Sequence, residues 1–270
     1  MDSDVVVGLA LAFVSALSVN WGYTLEHDAA AALPPVSPRR PVQAVRTLAG
    51  SGPWLRGFAF ETAGWLVYVA ALRLAPLALV QGVGAAGIGV LALAAARGPA
   101  RLVARERAAA LIGLVGLALL AGSLVGRRPT DHRPSVVTAV GWLAGCAVVA
   151  LVLVGSRTPL ARAAVLGLAA GFLFAGGDVS VKLLVQGGWW AFAFVSLVVF
   201  YGVGSIRLQA AFQAGDAVHA AGMATLTTNA VPIAAGFVVF REALPGGSLA
   251  VLQVAGFAAT VAGASLLARR

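Results

Sequence analysis

Uncharged apolar runs about 20 residues long alternate with short charged segments along most of the chain. A helix needs roughly 20 residues to cross the hydrocarbon of a bilayer, and lipid leaves no partner for an open backbone. The runs therefore predict membrane-spanning helices, and the alternating pattern of a membrane β-barrel is absent. The nine predicted spans cover residues 5–25, 57–74, 77–96, 108–125, 136–155, 160–185, 189–208, 216–240 and 248–268. The predicted fold class is an all-α, polytopic membrane protein with about nine transmembrane helices.

Two connections between the predicted spans are distinctive. Residues 26–56 are rich in proline and arginine and predict an irregular polar loop, with a short interfacial helix near residues 42–48. The second and third spans are separated by little more than Pro76, which predicts a tight hairpin.

The composition supports the membrane assignment. Hydrophobic residues make up 60% of the chain and charged residues 11%, against about 25% in soluble domains. The net charge of +9 does not indicate nucleic-acid binding, because the arginines flank the apolar runs, where they meet lipid headgroups. The single cysteine, Cys146, lies within an apolar run and is expected to serve helix packing.

The distribution of basic residues predicts the topology. With nine spans and the N-terminus outside, 13 of the 19 lysines and arginines fall inside and six outside. The positive-inside rule therefore favours an external N-terminus and a cytoplasmic C-terminus. The first run lacks the basic flank of a signal peptide and is interpreted as a retained helix. The expected location is a bacterial plasma membrane.

The chain also contains an apparent internal repeat. Arg105-Glu106 and Arg241-Glu242 each precede an apolar helix with small residues near its end, and the helices before them match in order. Spans 1–4 therefore correspond to spans 6–9. Because the second copy begins five spans after the first, an odd number, it enters the membrane from the opposite face. This predicts an inverted repeat, as in alternating-access transporters. The predicted units are residues 1–126, a connecting helix at 136–155, and residues 160–270.

Two short segments resemble a known family. Residues 75–80 (Ala-Pro-Leu-Ala-Leu-Val) followed by Gly84-Ala85 resemble NIPA-type magnesium transporters of the drug/metabolite transporter superfamily. Residues 229–232 (Asn-Ala-Val-Pro), leading to Phe240-Arg241-Glu242, resemble the closing part of NIPA-like and EamA-type members. The resemblance implies transport, and the nine-span count favours the NIPA-like branch. Those proteins carry a glutamate after a glycine in the second helix, whereas Trp65 follows Gly64 here and the nearest acid is Glu61.

Ionisable and polar residues inside the predicted spans are the candidates for a binding site, because they are costly to bury in lipid. The predicted substrate site comprises Glu61, Gln81, Asp178, Thr228 and Asn229, and the predicted supporting residues are Asn20, Lys182, Asp216, His219 and Pro232. Pro232 removes a backbone hydrogen bond, so local unwinding of the eighth span is expected to expose polar groups at mid-depth.

Each candidate also has a purely structural interpretation. Glu61 lies about one turn, roughly 6 Å, into its predicted span and could reach the interface. Asp178 and Lys182, at i and i+4, could neutralise each other, and the threonines could bond to their own helix.

Two substrate classes and one other function remain open at this point. Mg²⁺ prefers oxygen ligands, whereas a small organic metabolite suits the threonine, asparagine and glutamine set. The alternative is a non-transport membrane protein, either an accessory subunit or an intramembrane enzyme. No catalytic constellation, nucleotide-binding motif or metal-ligand spacing is visible, so we expect no enzyme activity and no cofactor. Lipid and the solute are the expected partners, and the oligomeric state is open.

Overall fold

A computed structural model describes residues 3–37, 39–75, 77–84, 104–123, 133–156, 162–187, 191–215, 217–242 and 246–268. Within these ranges the chain forms helices and no strand, which confirms the all-α prediction. The helices are α1 (Ser3–Ala30), α2 (Pro41–Ala49), α3 (Gly52–Leu74), α4 (Leu77–Gly84), α5 (Ala104–Ser123), α6 (Val136–Gly155), α7 (Arg162–Gln186), α8 (Ala193–Ala214), α9 (Ala217–Val238) and α10 (Ser248–Ala268).

Five stretches of helix in the described part of the chain are long and apolar enough to cross a membrane. They are Asp4–Ala30, Val136–Gly155, Arg162–Gln186, Ala193–Ala214 and His219–Val238. On α6, large apolar side chains such as Val137 and Leu151 are 81% and 70% exposed. Lipid is the solvent that suits such a surface, so the helices are compatible with an integral membrane protein. The number of nine spans stays a prediction, and residues 85–96 of the predicted third span lie outside the described ranges.

The helices around the proline-rich connection are longer than the sequence predicts. α1 continues to Ala30, five residues past its predicted end, and α3 begins at Gly52, five residues before its predicted start. Ser51 caps α3, because its side chain accepts a hydrogen bond from the Trp54 N–H at 3.3 Å. The short helix expected near residues 42–48 is present as α2.

The segment between α1 and α2 is held by one side chain of α8. Gln213 accepts a hydrogen bond from the Val36 N–H at 2.9 Å. Its Nε2 donates to the carbonyl oxygens of Ala30, Leu33 and Pro34 at 3.0–3.3 Å. The segment after α1 is therefore tied to α8.

Close helix packing occurs where glycine faces a neighbouring backbone. α1 crosses α3 with Gly22 against the carbonyl oxygen of Gly57, and α7 crosses α9 with Gly167 against the carbonyl oxygen of Ala220. α10 packs on α5 at Gly263, where an added Cβ would lie 2.5 Å from the Gly113 nitrogen. Small residues let helix backbones approach in this way.

The short link between α3 and α4 is present, but these two helices barely touch in the described part. α4 packs mainly on α9 and α1, whereas α3 packs along α1. In the described part α4 is therefore not packed along α3, and the tight hairpin stays a prediction for the residues beyond Gly84.

The two Arg-Glu pairs occupy different settings. Arg105 lies in the first turn of α5, whereas Arg241 follows α9 in a left-handed turn with φ of +49° and precedes α10 by seven residues. The Glu242 N–H donates to the Gly236 carbonyl at 2.9 Å and closes the end of α9. These pairs are not equivalent in structure.

Candidate solute-binding cavity

A cavity of about 100 Å³ lies among α1, α3, α4, α7, α8 and α9. All five residues predicted for the substrate site contribute to its wall. The lining consists of Ala12, Ser15, Ala16, Val19, Asn20, Tyr23, Glu61, Trp65, Tyr68, Val80, Gln81, Phe174, Asp178, Tyr201, Thr225, Thr228 and Asn229. The fold thus brings the predicted residues together, while their binding of a substrate stays a prediction.

Asp178 of α7 is hydrogen-bonded to side chains of two other helices in the cavity wall. Its carboxylate is 3% exposed and accepts hydrogen bonds from Gln81 Nε2 at 2.8 Å and from the Tyr201 hydroxyl at 2.5 Å. Gln81 Nε2 also donates to the Tyr68 hydroxyl at 2.7 Å. Each carboxylate oxygen therefore has a donor, and both donors are neutral groups from other helices.

The expected pairing of Asp178 with Lys182 is not formed. The Lys182 ammonium donates to the carbonyl oxygen of Leu72 at 3.4 Å, and the acid whose charge acts on it is Glu242. The i, i+4 spacing permits a pair, but Gln81 and Tyr201 already occupy the two oxygens of Asp178. The charge of Asp178 is thus left without a basic partner in the cavity wall.

Glu61 lies deeper in its helix than the sequence predicts. Because α3 begins at Gly52, Glu61 is nine residues in, or roughly 14 Å along the axis at about 1.5 Å per residue. The predicted start at residue 57 is five residues late, since Ser51 and Pro53 start the helix earlier, and the depth of Glu61 in the membrane stays a prediction. The side chain faces the cavity rather than a nearby helix end.

The polar residues of α9 meet α1 and α7 without any break in the helix. The Thr225 hydroxyl donates to Asn20 Oδ1 at 3.1 Å, and the Thr228 hydroxyl donates to the Gly171 carbonyl at 3.4 Å. Asn229 Nδ2 bonds back to the Thr225 carbonyl at 2.7 Å.

The helix continues through Pro232, so the predicted unwinding is wrong. In the turns before the proline, Thr227 bonds back to its own helix at the Met223 carbonyl, at 2.8 Å, as threonines in helices commonly do. Membrane helices tolerate an interior proline where neighbouring helices pack around it. Of the other supporting residues, Asn20 lines the cavity and His219 lies in the first turn of α9, outside the lining. Asp216 lies outside the described residues.

Aromatic side chains of the wall were missed by the sequence analysis. The lining includes all three tyrosines of the chain, Tyr23, Tyr68 and Tyr201, together with Trp65 and Phe174. The scarcity of tyrosine and its position inside apolar helices could have indicated this, because a buried phenol needs a polar partner.

The charge of the lining is one-sided. Glu61 and Asp178 are acidic, and none of the residues that form the wall is lysine, arginine or histidine. In the described part of the chain, no three acidic, histidine or cysteine side chains come together as a group able to hold a metal ion. The cavity is therefore an aromatic and amide-lined pocket with negative character.

The chain matches no protein-family model, no curated protein and no solved structure.

Proposed function

We propose that this chain is a secondary transporter or facilitator that carries a small solute across the membrane, with the central cavity as its binding site. The observation that carries the proposal is that half-buried Glu61 and buried Gln81, Asp178 and Asn229 line one cavity between apolar helices. Such groups are costly to bury in a membrane protein, and a solute pathway is a common reason for their presence.

The packing of the helices supports an inverted repeat as part of this proposal. α1 packs on α3 as α7 packs on α8, and α1 contacts α4 as α7 contacts α9. The contacts of α4 with α9 and of α5 with α10 each join a helix to its counterpart, and the connecting helix α6 packs on α7. Matching contacts within the two halves, together with contacts between equivalent helices, are what a two-fold relation between residues 1–126 and 160–270 would give, with α6 as the connector.

Within the proposal, we favour a small organic cation, such as an alkylammonium ion, as the substrate. The wall offers two acids, five aromatic side chains and no basic residue. Cations are attracted to aromatic faces, and a positive charge would balance Asp178, whose hydrogen-bond donors are all neutral. Mg²⁺ is the second candidate, because Glu61 and Asp178 share one cavity, and a magnesium ion that retains water needs only one or two carboxylates.

The resemblance to the drug/metabolite transporter superfamily, NIPA-like branch, agrees with this function and supplies the rest of the proposal. The proposed protein has nine spans, an external N-terminus and a cytoplasmic C-terminus, and it lies in a bacterial plasma membrane. Without a nucleotide-binding motif in the sequence, a driving force from an ion gradient or from the solute itself is the consistent choice.

Thermal unfolding of the purified protein in detergent tests the binding step, since a ligand that binds only the folded state raises its stability. Small alkylammonium ions, neutral amides of matched size and MgCl₂ serve as probes. We expect the alkylammonium ions to raise the melting temperature, and Asp178→Asn to abolish that rise. Asp4→Asn, which removes an exposed charge from the same bundle, is the control. Stabilisation by MgCl₂ alone would select the second candidate, and stabilisation by none would favour a non-transport membrane protein.

A further inference from the structure

A second acidic cluster lies at the crossing of α1, α3 and α8. Glu26 of α1 is fully buried and Gln209 of α8 is 1% exposed. Gln209 Nε2 donates a hydrogen bond to Glu26 Oε2, and the carboxyl group of Glu61 lies next to that of Glu26. Glu61 also lines the cavity, whereas Glu26 does not, so Glu61 is shared between the cavity and this cluster.

The cluster contains more buried acceptors than donors. Glu26 Oε1 and Gln209 Oε1 are both buried and have no hydrogen-bond partner. Within the described part of the chain, the hydrogen bond that the Glu26 carboxyl group accepts comes from the neutral amide of Gln209. An unpaired buried polar atom costs about 1–3 kcal/mol, and an unpaired buried charge costs more.

Two ionised carboxylates side by side would add like-charge repulsion to this cost. If one of the two carboxyl groups carries a proton, it becomes a donor to the other, and the pair holds one negative charge instead of two. A single proton therefore supplies the missing hydrogen-bond donor and also removes the repulsion between the two carboxylates.

We infer that Glu26 and Glu61 form a proton-binding site that holds one shared proton and releases it when a positively charged solute reaches Glu61. The release step rests on the proposed function, whereas the proton site itself does not. In that step the O–H bond of the pair breaks, the proton leaves to water, and the positive charge of the solute takes its place beside the carboxylates. Charge is conserved, and the exchange couples solute movement to proton movement in the opposite direction.

The packing of α1 on α3 makes this pair sensitive to helix movement. An added Cβ at Gly57 would lie 2.7 Å from Glu26 Cγ, and one at Gly22 would lie 2.8 Å from the Glu61 nitrogen. The two carboxyl groups thus lie where the helices touch, so sliding of α1 along α3 would change the distance between them.

The other titratable groups near the pair are few. Tyr23 of α1 lies close to both glutamates, and Asp178 of α7 lies across the cavity. α8 contributes the neutral amide of Gln209. His27 is directed away, with its ring on Phe212 at 5.6 Å and its Nδ1 at 3.2 Å from Asp28.

The test measures stability against pH for the full-length protein in detergent, with Glu26→Gln, Glu61→Gln and the control Asp4→Asn. A folded pair that retains a proton binds more protons than the unfolded chain, so stability falls as the pH rises. We expect the melting temperature of the wild type and of Asp4→Asn to fall from acidic to alkaline pH. Both glutamine variants should lose most of this fall, because the amide N–H replaces the shared proton permanently.

Infrared spectroscopy provides a readout that does not depend on stability or on transport. The wild type and Asp4→Asn should show the carbonyl stretch of a protonated carboxyl group at neutral pH, and each glutamine variant should lose intensity in that band. Equal pH dependence in all four proteins, or an unchanged band in both glutamine variants, would overturn the inference. Stabilisation of the wild type, but not of Glu61→Gln, by NaCl over KCl at equal ionic strength would also overturn it, by assigning the site to Na⁺. A proton site without solute-dependent release would refute the coupling step alone.

Discussion

Gly57→Ala is expected to destabilise the protein through the crossing of α1 and α3. The new Cβ would lie 2.7 Å from Glu26 Cγ, 2.9 Å from the Glu26 nitrogen and 2.9 Å from the Gly22 carbonyl oxygen. Two of these three atoms belong to the backbone of α1, so side-chain rotation cannot relieve the overlap and the helices must separate.

The expected magnitude follows from two opposing effects. Overpacking costs about 1–3 kcal/mol, and backbone overlap places this site near the upper end. Alanine in place of glycine favours a helix by about 1 kcal/mol. The net expectation is therefore a loss of about 2 kcal/mol in the free energy of unfolding.

The matched control is Gly145→Ala on α6, where an added Cβ meets no atom within 4 Å. This variant retains the helix-propensity gain without the overlap and should equal or exceed the wild type in stability. Reversible unfolding in detergent micelles measures both variants. A Gly57→Ala protein as stable as Gly145→Ala would refute the close approach of α1 and α3.

Two further predictions concern single hydrogen-bonding side chains. Gln213→Ala removes the four hydrogen bonds by which this side chain ties residues 30–36 to α8. Limited proteolysis between α1 and α2 should therefore become faster while the unfolding of the bundle changes little, and unchanged cleavage would contradict the tie. Tyr201→Phe removes a donor from buried Asp178 and should cost about 1.5–3 kcal/mol of stability, measured by unfolding in detergent. A Tyr201→Phe protein of wild-type stability would mean that Asp178 does not depend on this bond.

The sequence predicts the helical class and most helix positions because long apolar runs in a membrane protein have few alternatives. Residues 136–155 and 248–268 are helical within the predicted bounds. The errors occur where polar residues continue a helix. Glu26-His27-Asp28 has the composition of a loop, yet these residues extend α1. Buried Glu26 has a polar partner there in Gln209 of α8.

Site residues could be found from the sequence, but their partners could not. Burial cost alone selects Glu61 and Asp178. The choice of Gln81 and Tyr201 over Lys182 as partners of Asp178 depends on how α4 and α8 pack on α7, which no local spacing contains. The same limit applies to Pro232, where α9 continues as a helix although the sequence predicts local unwinding.

Uptake into proteoliposomes tests the central claim most directly. The alkylammonium ion that stabilises the purified protein most is supplied outside liposomes that contain the wild type, Asp178→Asn or Asp4→Asn, with protein-free liposomes as the baseline. We predict uptake above this baseline by the wild type and Asp4→Asn, and none by Asp178→Asn. Equal uptake by the wild type and Asp178→Asn, or binding by the wild type without any uptake, would contradict transport through this cavity.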